Sequence, residues 1–150
     1  MEIKEFINSD LIKMNLESRD KNNVLKELVE VLFENNIVDD KEKVYQKALE
    51  REKKGTTGVG HGVAIPHVKS SAVKKASIVF AKSEEGVDFE SMDNEDTYLF
   101  FMIAVPDEAD KQHLKLLSKL SRKLMHKKFR QALKKASSKK ELMEVITKKD

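Results

Sequence analysis

The stretch Gly58-Val59-Gly60-His61-Gly62-Val63-Ala64-Ile65-Pro66-His67 decides how this chain is read. Three glycines lead into a short apolar run, the run stops at a proline, and a histidine follows at once. Proline has no N–H for a sheet ladder, and it holds the residue before it in extended geometry. The pattern predicts a strand over residues 62–65 that ends abruptly and presents His67 at its tip. Imidazole is the side chain whose ordinary pKa, about 6.5, lets it act as nucleophile or proton carrier near neutral pH. His67 is therefore the first candidate functional group. The glycines before it read as a loop that permits positive φ and close backbone approach.

Working outward, Ile12, Met14 and Leu16 alternate with polar residues and predict an early strand. Asp20 is an N-cap for a helix ending near Asn35-Asn36, with Leu25, Leu28, Val29, Leu32 and Phe33 on its apolar face. Asp39, three residues before Glu42, forms a capping-box pattern for a second helix that buries Val44, Tyr45, Ala48 and Leu49. Arg51 falls at the end of that helix. Downstream, residues 76–81 and 97–105 read as strands, with a short edge strand over 86–89. The run Leu99-Phe100-Phe101-Met102-Ile103 is apolar on both faces, which places it centrally, covered by helices on each side. Leu114, Leu117, Leu120 and Leu124 form a helical stripe beginning at His113. Two further helices follow, over 129–135 and from the Ser138…Glu141 capping box onward, the latter with Leu142, Val145 and Ile146 inward. The order predicts a single α/β domain over residues 1–150, a mixed β-sheet flanked by helices on both faces.

Composition narrows the chemistry. With 150 residues the chain is long enough for one domain with a sizeable core. It has no cysteine, so no disulfide, thiolate metal site or cysteine nucleophile is available. No secretory leader pattern opens it, and no apolar run approaches the roughly 20 residues that span a bilayer, so a cytoplasmic location is expected. Net charge is +3 but uneven: residues 111–150 hold 14 basic and 3 acidic side chains, whereas residues 84–110 hold ten carboxylates and no Lys or Arg. The acidic segment suits steering of a basic partner. The lysines of the tail are spaced along amphipathic helices without interleaved aromatics, so no nucleic-acid partner is expected. No HExxH or close histidine pair is present, and a fixed arginine opposes a cation, so no metal is expected.

Several strings stand in a telling order: Arg51-Glu52, residues 55–66 ending in Ala-Ile-Pro, His67, then Phe89-Glu90-Ser91-Met92-Asp93, then His113 at the head of the leucine-rich helix. In that order they resemble the fructose/mannitol-type (type 2) EIIA domain of the bacterial phosphoenolpyruvate-dependent sugar phosphotransferase system, over residues 11–146. The resemblance implies the mannitol-type EIIA fold and a phosphotransferase component that works through a phosphohistidine. A phosphoryl group from the carrier protein HPr would go to Nε2 of His67 and then to a cysteine of an EIIB protein or domain. The membrane EIIC would be reached only indirectly, and no cofactor is implied. Arg51 brings a permanent charge and a planar fork suited to phosphoryl oxygens. His113 corresponds to the second histidine of such sites, and Thr57 offers a hydroxyl donor near the phosphoryl group. The alternative is a nitrogen-related regulatory EIIA, in which phosphorylation of His67 switches protein partners and no sugar moves. Val68 departs from the glycine that often follows the histidine in this family.

Overall fold

Every residue from 99 to 105 is fully buried, as an apolar run covered on both faces must be. The computed structural model describes residues 2–109 and 111–149, apart from the side chain of Gln112. Met1, Asp110 and Asp150, which enter the N-terminal and charge readings, lie outside the described residues. Two short 3-10 turns, Ile3–Glu5 and Ser9–Leu11, lead into β1 (Ile12–Lys13). Then come α1 (Lys21–Glu34), α2 (Lys41–Lys53), β2 (Gly58–Gly60), β3 (Val63–Ala64), β4 (His67–Lys69), β5 (Ser77–Val87) and β6 (Thr97–Val105). The chain closes with α3 (Gln112–Leu124), α4 (Lys127–Lys135) and α5 (Lys139–Thr147). The sheet is mixed, in the order β1-β5-β6-β3-β2, with β4 also on β6. Helix α1 packs on α2 and β5, and α2 on β4. Helix α3 packs on β6 and α4, and α4 on α5. This is the expected single α/β domain with a helix layer on each face. Among the described residues no helix is long and apolar enough to cross a membrane.

Pro66 does not end the sheet. Val63 and Ala64 lie parallel to Leu99 and Phe100, and His67, Val68 and Lys69 lie beside Ile103, Ala104 and Val105 in the same register. The Pro66 carbonyl still accepts the Ile103 N–H at 2.9 Å. Only the N–H that proline lacks is missing, and this divides one path into β3 and β4. His67 therefore opens a strand rather than standing at the tip of one, which corrects the expected placement. Strand alternation puts it on the face shared with Ile65 and Val63.

The glycine-rich stretch is likewise a strand and not a loop. Strand β2 pairs antiparallel with β3 through a turn in which Gly60, His61 and Gly62 have φ of 98°, 58° and 76°. A side chain on Gly60 would come within 3.1 Å of the Asp93 carboxylate, which already accepts the His61 N–H at 3.0 Å. His61 is thus an exposed turn residue.

Local signals held where they were local. Asp20 caps α1 by accepting the Asn23 N–H, and Ser138 caps α5 by accepting that of Glu141. The cap of α2 is Asp40, one residue later than the Asp39 pattern predicts. Strand β5 runs to Val87 and absorbs the first half of the expected edge strand, since its pairing with β6 resumes at Val87↔Thr97. Strand β1 is only two residues, with Met14 and Leu16 packed part-buried against the core. Phe33 is exposed, with the Lys41 ammonium 4.8 Å from its ring centre, and Val24 takes the inward place on α1. On α3, Leu120 and Leu124 of the expected stripe are buried and Leu117 is part-buried, while Leu114 faces out and Leu116 is buried in addition.

Candidate functional site

Helix α2 packs on β4, so its last turn lies beside His67. The Arg51 Nε donates to His67 Nε2 at 3.0 Å, and its Nη1 donates to the Gly55 carbonyl at 2.9 Å. On the other side of the ring, His67 Nδ1 lies 3.0 Å from the Ile65 carbonyl, which has only lone pairs to offer. Nδ1 therefore carries the proton and Nε2 keeps its lone pair. The residues alone left the choice of ring nitrogen open; these two contacts put the lone pair on Nε2. Two bonds fix the guanidinium plane and leave its remaining N–H groups available to an anion.

The half-buried His67 has its pKa lowered from the ordinary value. Burial is the main cause. The Ile65 carbonyl and Glu52 act in the opposite sense, while the charges of Arg51 and His113 add to the lowering. The ring is thus held neutral. Below about pH 6.5 the unfolded chain takes a proton that the folded ring resists. Stability from the neutral ring is full above that value and is lost as the pH falls through it toward the folded pKa. His113 acts in the same sense, lowered by burial and then by Lys69. The melting temperature is expected to drop from about pH 7.5 to 5.5, and to drop less in His67→Ala. Equal slopes for the two proteins in a calorimetric pH series would contradict this.

His113 is the second residue of α3, and its charge reaches His67. Its Nδ1 is buried without a hydrogen-bond partner among the described residues. Thr57 does not present a free hydroxyl, contrary to expectation. It is buried, and its Oγ1 donates to Glu52 Oε2 in a short hydrogen bond, while its N–H donates to Glu52 Oε1 at 3.0 Å.

Glu52 and Lys21 escaped the sequence reading. The Lys21 Nζ lies 3.0 Å from Glu52 Oε1, with side chains only 12% and 5% exposed. It also reaches Glu90 at 3.3 Å and lies 4.8 Å from the Phe89 ring centre. Lys21 opens α1, where the helix dipole disfavours a cation, so its place there needs this partner. Removing Lys21 alone strands the buried Glu52 charge, at a cost of about 3–5 kcal/mol. The only signal in the sequence was that Glu52 follows Arg51 in the quoted motif. Among the described residues no cluster of three His, Cys, Asp or Glu side chains could hold a metal.

The site can be set against known proteins. The family model described as Phosphoenolpyruvate-dependent sugar phosphotransferase system, EIIA 2, matches residues 5–149. The fructose-specific EIIA component of Haloferax volcanii is 40% identical over 137 residues, covering 91% of this chain and 89% of that protein. The fructose-specific EIIABC component of Bacillus subtilis is 39% identical over 150 residues, which are 100% of this chain and 24% of that protein. The chain thus spans about a quarter of the length of that relative. The crystal structure of nitrogen regulatory protein IIA-Ntr from Neisseria meningitidis superposes with a TM-score of 0.90 at 34% identity, covering 97% of this chain and 99% of that one. IIA mannitol from Escherichia coli, 24% identical, shares the fold with a TM-score of 0.80 over 93% of this chain and 98% of that one. By sequence over nearly its whole length, and by a fold of the mannitol EIIA type, the chain belongs to the EIIA 2 family of the phosphoenolpyruvate-dependent sugar phosphotransferase system.

Proposed function

We propose that the protein is a cytoplasmic phosphocarrier of the fructose type, in which Nε2 of His67 takes a phosphoryl group from phospho-HPr and passes it to a cysteine of an EIIB protein or domain. The observation that carries this reading is the pair of contacts on the His67 ring: an Nδ1 proton held by Ile65 and an Nε2 lone pair facing the Arg51 guanidinium. Phosphoryl transfer asks for an in-line nucleophile and positive donors on the equatorial oxygens, and little else from the protein. The neutral Nε2 attacks the donor's phosphorus; the new N–P bond forms as the donor's N–P bond breaks, and that electron pair returns to the donor's ring nitrogen. Onward transfer reverses the roles: a thiolate attacks the phosphorus and the pair returns to Nε2. No proton leaves Nδ1 in either direction. Arg51 must release the lone pair as phosphorus arrives and then bind phosphoryl oxygens. His113, whose charge bears on His67, is assigned to the same oxygens.

EIIB as acceptor is supported by the Bacillus subtilis relative, whose name joins EIIA with EIIB and EIIC. The 39–40% identity to fructose-specific relatives favours sugar transport. The likeness to IIA-Ntr supports the second reading, in which His67 phosphorylation controls protein partners without sugar movement. The two diverge in one experiment. Membrane vesicles holding the EIIB and EIIC proteins of the same genome are supplied with phosphoenolpyruvate, enzyme I, HPr and this protein. Fructose-dependent loss of phosphate from His67 is the expected result. Phosphate that enters His67 and leaves to none of those EIIB proteins selects the regulatory reading.

A further inference from the structure

The Lys21–Glu52 pair has both side chains buried, whereas in the other ion pairs between described residues at least one member is 39% exposed or more. Both Glu52 oxygens are committed: Oε1 to the Thr57 N–H and the Lys21 ammonium, Oε2 to the Thr57 hydroxyl. These bonds tie the end of α2 to residue 57 and so close the turn between them. Inside that turn is the Gly55 carbonyl that fixes Arg51 Nη1. Lys21 extends the tie to a third segment. Its ammonium also contacts Thr56 Oγ1 at 3.4 Å and Glu90, and lies over Phe89. Thr56 Oγ1 in turn donates to the Phe89 carbonyl at 3.0 Å and accepts the Gly58 N–H at 3.0 Å.

From this closed set we infer that Glu52 is a positioning residue for phosphoryl transfer: held by Thr57 and neutralised by Lys21, its carboxylate sets the turn that orients the Arg51 guanidinium on His67. The inference rests on the phosphocarrier reading for its kinetic consequence, but the geometry it concerns exists before any phosphate arrives. Exposed surface pairs of this kind contribute little. A pair this buried is costly to desolvate and persists where its geometry is needed. The need here is local. The Arg51 side chain is long and has many rotamers, and two bonds to fixed acceptors remove that freedom before the donor docks. One of those acceptors, Gly55, is held on one side by its own N–H donating to the Glu52 carbonyl at 3.1 Å, and the Glu52–Thr57 tie closes the other side of the same turn.

The test uses the full chain with Lys21→Met/Glu52→Gln, which removes both charges together and leaves no buried charge unpaired, and separately Thr57→Val, which removes only the hydroxyl donor. Two readouts are taken. The first is NMR of the unphosphorylated protein: the exchange rate of the Arg51 Nε–H, expected to be slow in the wild type, and the ring nitrogen shifts of His67, titrated against pH with Arg51, Glu52, His113 and Lys69 as the charged neighbours. The second is the single-turnover transfer rate at saturating phospho-HPr. Both variants are expected to lose protection of the Arg51 Nε–H and to slow transfer, the double variant by roughly 10²-fold, the scale of a 1 Å misplacement. The HPr concentration for half-maximal rate should stay unchanged, and Thr57→Ser should retain more of the rate than Thr57→Val. An unslowed rate, or a protected Arg51 Nε–H, in either folded variant overturns the inference. If the double variant fails to fold, Thr57→Val decides alone. A wild-type protein that takes no phosphate sinks the phosphocarrier reading instead, and the NMR arm then still decides whether Glu52 positions Arg51.

Discussion

Replacing His67 by alanine is expected to abolish phosphorylation by phosphoenolpyruvate, enzyme I and HPr, where the wild-type protein takes up one acid-labile, base-stable phosphate. The expectation follows from the His67 ring, whose Nδ1 proton is held by Ile65 and whose Nε2 lone pair faces the Arg51 guanidinium. Arg51 has no lone pair to give, and Thr57 Oγ1 is committed to Glu52. The fold should survive. His67 is half-buried, and its strand keeps the ladder to β6 on either side. The lost ring contacts are worth about 1 kcal/mol each, which at this length moves the melting temperature by only about 2–4 °C per kcal/mol. Label that persists in a folded His67→Ala protein would move the phosphoryl group elsewhere and remove the basis of the mechanism.

Arg51→Ala should slow transfer by roughly 10²–10³, the usual effect of losing one charge-assisted donor at a transition state, or about 2.7–4 kcal/mol. On long incubation His67 should still be labelled, because the nucleophile itself is intact. Arg51→Lys should recover only part of the rate, since an ammonium keeps the charge but cannot hold Gly55 and the imidazole with one plane. A second effect separates this from general damage. The Arg51 charge lowers the His67 pKa, so alanine should raise it, and NMR titration reads that directly. His113→Ala should slow transfer in the same range for want of a donor to the phosphoryl oxygens. Wild-type rates in folded Arg51→Ala and His113→Ala proteins would leave His67 without the stabilisers assigned to it.

The sequence alone determined whatever is written in neighbouring residues. The apolar run at 99–103 could only be a central strand. Asp20 and Ser138 capped their helices because a cap needs nothing beyond three residues. The order of Arg51, Pro66, His67 and His113 was enough to place the family. Phe33, Leu114 and Asp39 were misplaced because periodicity fixes a face only to within about one position, and packing selects among neighbours. Tertiary structure decided the rest. Pro66 looks like a strand end in one dimension, yet β6 holds both sides of it in one register. The glycine-rich stretch became a strand because β3 and Asp93 were there to receive it. The tautomer of His67 was set by a carbonyl two residues back and a guanidinium sixteen residues back, and only a folded chain fixes their direction. The pairing of Lys21 with Glu52 carries no sequence signal, since a buried charge is tolerated only when a distant partner neutralises it, and that partner is chosen by the fold.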